Sequence, residues 1–124
     1  MDIVLRTIKQ ELSVCKIDSL SDMVFSNNFF FLCKTEDELS LVCMTEDAPA
    51  NPVKREDGWC AFFIEGQLDF SLLGILANIS KILAENKISI FVTSTYNTDY
   101  VLVKKENFDR ALAALKDAGY NIRN

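Results

Sequence analysis

Apolar positions in this chain change period along its length, and that change predicts the elements. Trp59-Cys60-Ala61-Phe62-Phe63-Ile64 is a short aromatic-rich run between Asp57-Gly58 and Gly66, the pattern of a buried strand. Leu72, Ile75, Leu76, Ile79 and Leu83 then recur at helical spacing and predict a helix over about 71–86, with Ser71 as its cap and Asn86 near its end. Ile88 to Thr95 is β-branched and loosely alternating, so it reads as strand. Asn97-Thr98-Asp99 makes a turn, and Tyr100-Val101-Leu102-Val103 returns beside it. A second helix is expected from a cap at Asn107, with Phe108, Ala111, Leu112, Leu115 and Ala118 on one face and Gly119 as a left-handed stop. Tyr120-Asn121-Ile122 leaves room for a closing strand. The order from about residue 57 is β-α-β-β-α-β, the ferredoxin-like arrangement.

The first half repeats that order in shortened form. Residues 11–17 read as a strand, 19–26 as one or two helical turns, and 29–34 with 39–45 as a hairpin around Thr35-Glu36-Asp37-Glu38. Residues 46–57, with Pro49 and Pro52, read as a linker. The expected class is therefore α+β, in two tandem lobes. Residues 1–56 form a degenerate lobe and linker too small to fold well alone, and 57–124 the full one.

Charge and composition narrow the function. Asp and Glu outnumber Lys and Arg by 18 to 13, a net charge of −5, and no basic stripe answers a phosphate backbone. Nucleic acid is not an expected partner. No apolar run approaches a membrane span, and the N-terminus is charged too soon for a signal peptide, so a cytoplasmic protein is expected. Cys15, Cys33, Cys43 and Cys60 stand singly in apolar segments and form no Cys-x-x-Cys pair. They read as reduced core thiols, with Cys60 beside Trp59 as the one candidate reactive thiol. With no histidine in the chain, Ser-His-Asp and Cys-His catalysis is impossible and a zinc site lacks its usual nitrogen ligand. No phosphate-cradling glycine motif occurs either. No catalysis, metal or cofactor is expected.

The stretch Gly66-x-Leu68-Asp69-Phe70-Ser71-Leu72-Leu73-Gly74-Ile75-Leu76-Ala77, followed by Leu83-Ala84 and Ile88-Ser89-Ile90-Phe91, resembles the strand-to-helix-to-strand signature of ACT domains. Ser94 to Val103, Glu38 to Cys43 and Asp57-Gly58-Trp59 are similar to tandem-ACT proteins, including the arginine sensors of animal growth signalling and small bacterial proteins of unassigned role. The resemblance implies an amino-acid-binding or allosteric module that often works at an interface between two such domains. ACT domains usually regulate an attached enzyme, and this chain is expected to depart from that pattern and act in trans or sense alone. It does not carry over a particular ligand.

The topology adds an argument of its own for where a ligand sits. In β-α-β-β-α-β the loop into helix one and the turn between strands two and three share one sheet end, with strands one and three adjacent. Asp69 to Leu73 is thus expected beside Asn97 to Tyr100. The candidate ligand residues are Asp69, Phe70, Ser71, Leu72, Gly74, Ser94, Thr95 and Asp99. Helix amides around Phe70 to Gly74 suit a carboxylate, Asp99 suits an ammonium, and Gly74 allows close backbone approach. A purely structural reading competes: Asp99 closes a turn, Asp69 caps a helix, Gly74 serves packing, and Ser94 and Thr95 are ordinary strand residues. The expected function is a non-enzymatic sensor or regulator of a small ligand, an amino acid, working as a homodimer with a possible protein partner. The alternative is an interaction or assembly module without ligand.

Overall fold

The computed structural model describes residues 3–23, 26–65 and 74–124. In chain order they form β1 (Val4–Ile17), a 3-10 turn (Leu20–Asp22), β2 (Phe30–Lys34), β3 (Leu39–Met44), a second 3-10 turn (Thr45–Asp47) and β4 (Lys54–Ile64). Then follow α1 (Ile75–Glu85), β5 (Ile90–Ser94), β6 (Asp99–Lys104), α2 (Lys105–Asp117) and β7 (Asn121–Arg123). Two compact units result. The larger comprises Met1–Lys9 and Cys60–Asn124, the smaller Gln10–Trp59, so β1 and β4 each give one half to each unit.

In the larger unit the strands run β7-β1-β4-β6-β5. Every second residue of these strands faces the helices. Leu5, Phe62, Ile64, Val101 and Val103 pack with Ile75, Ile79 and Leu83 of α1 and Ala111 and Leu115 of α2. The helical spacing seen in the sequence is this buried stripe. Both helices end as their sequences suggest: Asn86 closes α1, and Gly119, with φ 107°, follows α2.

Four features differ from the sequence reading. β1 begins at Val4, well before residue 11, and its first half joins the larger unit. The closing strand β7 therefore pairs in parallel with β1, Arg6 opposite Arg123, and not with β4. The edge that an isolated β-α-β-β-α-β unit would offer its last strand is already taken by β1. The stretch read as a linker becomes strand from Lys54, where the Val53 N–H donates to the Lys16 carbonyl at 2.8 Å. Helix α2 starts at Lys105, two residues before the expected Asn107 cap, and Lys104 ahead of it makes no side-chain cap bond. Asn107 instead accepts from Arg110 within the helix at 3.1 Å.

The smaller unit runs β2-β3-β1, with the first half of β4 beyond β1. Cys15, Ile17, Met23, Leu39, Leu41 and Cys43 form its core. Its hairpin turn shares its backbone and threonine bonds with that of the larger unit. The Thr35 N–H donates to the Glu38 carbonyl at 2.9 Å, and Thr95, sixty positions on, donates to the Thr98 carbonyl at 2.8 Å. In both turns the threonine hydroxyl also accepts from the N–H three residues later. The pairs Lys34–Leu39 and Ser94–Asp99 close the two turns in the same register. Where the larger unit has helices, the smaller has single 3-10 turns.

Candidate functional site

Thr98 fastens the β5–β6 turn to the end of β4. Its hydroxyl donates to the Ile64 carbonyl at 2.6 Å, while the Glu65 N–H of the same peptide donates to the Val4 carbonyl at 2.9 Å. The turn and the exit of β4 toward α1 thus meet at one sheet end, as the topology requires. The sequence reading did not single out Thr98. The signal for it is the threonine three residues earlier, whose hydroxyl and N–H lock the turn that aims Thr98 inward.

At that end, the Ser94 hydroxyl donates to Asp99 Oδ1 at 2.5 Å across the last pair of the hairpin. Asp99 is half-buried and Ser94 exposed. Alternation along β6 sets Asp99 on the same face as Val101 and Val103, the face that carries the helices. Thr95 is occupied with the turn itself, through its N–H and its hydroxyl. Asp69, Phe70, Ser71 and Leu72 lie outside the described residues.

Gly74 stands immediately before α1 with φ 87°. The helix opens at Ile75, directly after Gly74, and Phe70 to Leu73, whose amides were expected to meet a ligand, lie outside the described residues. A Cβ at Gly74 would meet no atom within 4 Å, so the backbone angle, and no close neighbour, is what asks for glycine. The Gly74 carbonyl accepts the Asn78 N–H at 2.8 Å and starts the helix ladder. A glycine cap has no side chain of its own with which to satisfy the opening amides.

Elsewhere the thiols divide. Cys15 and Cys43 are buried, Cys60 is half-buried, and Cys33, expected in the core, is exposed on β2. Burial pushes the Cys15 thiol up, and burial followed by the neighbouring Cys15 pushes Cys43 up to about 12. Both are inert in the folded protein. Trp59 is buried, in keeping with a core aromatic. Among the described residues no helix is long and apolar enough to cross a membrane.

Comparison with known proteins bears on the whole arrangement. A model of the ACT domain matches residues 54–117. A crystal structure of a protein from Agobacterium tumefaciens is similar, with a TM-score of 0.85 at 25% identity over 98% of this chain and 92% of that one. A Vibrio cholerae protein of unknown function, described as a possible transport protein, gives 0.69 at 22% identity over 94% and 89%. The ligand-free regulatory subunit of aspartate kinase from Thermus thermophilus gives 0.58 at 9% identity over 93% and 96%, a likeness of fold. No curated protein matches the sequence. With more than half its length matched by that domain model, the chain belongs to the ACT-domain family.

Proposed function

We propose that this protein is a non-catalytic regulatory module that binds a small zwitterion, an amino acid, at the sheet end where β4 leaves for α1 and the β5–β6 turn returns. The carrying observation is the 2.6 Å bond from Thr98 to the Ile64 carbonyl, which holds the turn bearing Asp99 against the end of β4. In this reading the ammonium pairs with Asp99, a charge-assisted bond of about 1.5–3 kcal/mol, and the carboxylate meets the opening amides of α1. Ser94 orients Asp99, and Asp69, Phe70, Ser71, Leu72, Gly74 and Thr95 complete the surround. ACT-family membership supports a ligand-binding regulatory role, and the Thermus relative is by name a regulatory subunit.

The same proposal takes residues 1–56 and 57–124 as tandem ACT-like lobes, which the matching hairpins favour. It also takes the protein to be cytoplasmic and homodimeric. The test is a thermal-shift screen of amino acids. A ligand at about one hundred times its Kd adds about 2.7 kcal/mol of stability, and Asp99→Ala weakens it about tenfold or more. Unchanged affinity in Asp99→Ala reduces that residue to a turn former. A screen without a hit leaves the interaction-module alternative standing in its place.

A further inference from the structure

The helix-free face of the larger unit carries a row of side chains that the amino-acid site does not use. Arg6 lies opposite Arg123 on the paired strands β1 and β7. The Glu65 N–H to Val4 carbonyl bond fixes the antiparallel register of β1 and β4, and two residues along it sets Phe63 opposite Arg6. Phe63 stacks on Tyr100 of β6, ring centroids 4.9 Å apart at 29°, and Tyr100 pairs with Thr93 of β5. Leu5, Ile64, Val101 and Ile122 pack toward the helices, so by alternation Arg6, Phe63, Glu65, Tyr100 and Arg123 share the other face. Arg6 and Arg123 are exposed, and Phe63 and Tyr100 are half-buried.

Charge selects the occupant. Two like charges opposite one another on neighbouring strands repel. Here both guanidinium groups close on one carboxylate, Arg6 Nη1 to Glu65 Oε1 at 3.2 Å and Arg123 Nη1 to Glu65 Oε2 at 2.9 Å. Counted over these three side chains, two cations meet one anion, in a chain whose net charge is −5. Glu65 fixes the two forks while leaving each with further N–H donors, the geometry that grips a carboxylate in bidentate fashion. The aromatic pair next to Arg6, stacked on itself, supplies apolar surface against which a further ring can pack.

We propose that this row is a second binding site, separate from the Asp99 site, and that it takes a small planar aromatic carboxylate. The ring lies along Phe63 and Tyr100, and the carboxylate completes the neutralisation of Arg6 and Arg123. The inference does not depend on the amino-acid reading, because by strand alternation Asp99 lies on the helix face and this row on the other.

The test is titration of the full chain with anthranilate, followed by its fluorescence anisotropy. Aniline, cyclohexanecarboxylate and inorganic phosphate serve as comparison probes. Anthranilate is expected to bind at millimolar concentration or tighter, with each comparison probe at least about tenfold weaker. Arg123→Gln, at an exposed position beside the end of the chain, and Phe63→Leu should each weaken anthranilate by a similar factor, and Asp99→Ala should leave it unchanged. Far-ultraviolet circular dichroism checks that the variants fold, and Arg123→Lys, which keeps the charge without the fork, should fall between wild type and Arg123→Gln. No anthranilate binding, equal binding of cyclohexanecarboxylate or phosphate, or indifference to Arg123→Gln would overturn the proposal.

Discussion

At the residue scale, Gly74 and the buried thiols show how one side chain reports its surroundings. Gly74 sits at φ 87° with open space around its α-carbon. Gly74→Ala therefore adds no clash, only the left-handed penalty of about 1–2 kcal/mol, and chemical denaturation should show a loss of that size. A larger loss would mean that something does approach the residue. The thiols carry a pH dependence whose sign follows from burial. A thiol with its pKa raised by folding keeps its proton after the unfolded chain has lost it, so its contribution is whole below about pH 9. It falls as pH climbs from there towards about 12. The alkaline loss of stability should be smaller in Cys43→Ala than in wild type, measured by urea melts across that window. Exposed Cys33 should react with a thiol reagent in the native protein, while Cys15 and Cys43 should wait for unfolding. Little of this was legible in the sequence: all four cysteines stand in apolar runs, and Cys33 is exposed because its strand falls at an edge and its register, opposite Ser40, turns it from the core face.

At the scale of elements, helix α1 and the β5–β6 hairpin were the most readable parts, for different reasons. The helix is written in a repeating stripe, and Ile79 at its centre is fully buried. Ile79→Ala should cost about 2–5 kcal/mol by denaturation, the range for deleting a buried branched chain. The hairpin is written in β-branched runs around a polar turn, yet its bond to β4 was hidden, because Thr98 and Ile64 are far apart in the chain. Thr98→Val removes the 2.6 Å hydroxyl donor and leaves the Ile64 carbonyl without it. The expected loss is about 1 kcal/mol, with faster amide exchange confined to the turn and the end of β4. A global rise in exchange would show that Thr98 supports the whole unit and does not act as a local fastener. The candidate site shares this divided legibility. Ser94, Thr95 and Asp99 were named as candidates from their place at the predicted turn, whereas the start of α1 at Ile75 depended on a backbone angle at Gly74 that no periodicity reports.

At the scale of the molecule, edge strands β2 and β5 set the prediction about assembly. Phe30 and Leu32 on β2 are more than a third exposed, and β5 exposes Val92. Apolar edge strands favour pairing with another chain. Sedimentation at micromolar concentration should find a dimer, and Leu32→Lys or Val92→Lys, whichever strand pairs, should return it to monomer. A monomer without concentration dependence would remove the dimer from the proposed function. The sequence by itself determined the α+β class, both helices, both hairpins and the family likeness, because periodicity and turn chemistry are local properties of consecutive residues. It also shows that these residues include no histidine, which is a matter of inventory. Only the tertiary structure decided that β1 is long enough to serve two units, that β7 joins β1 in parallel, and that Arg6, Glu65 and Arg123 meet. Those outcomes rest on which strand takes a sheet edge, a pairing between segments more than fifty residues apart that no local pattern records.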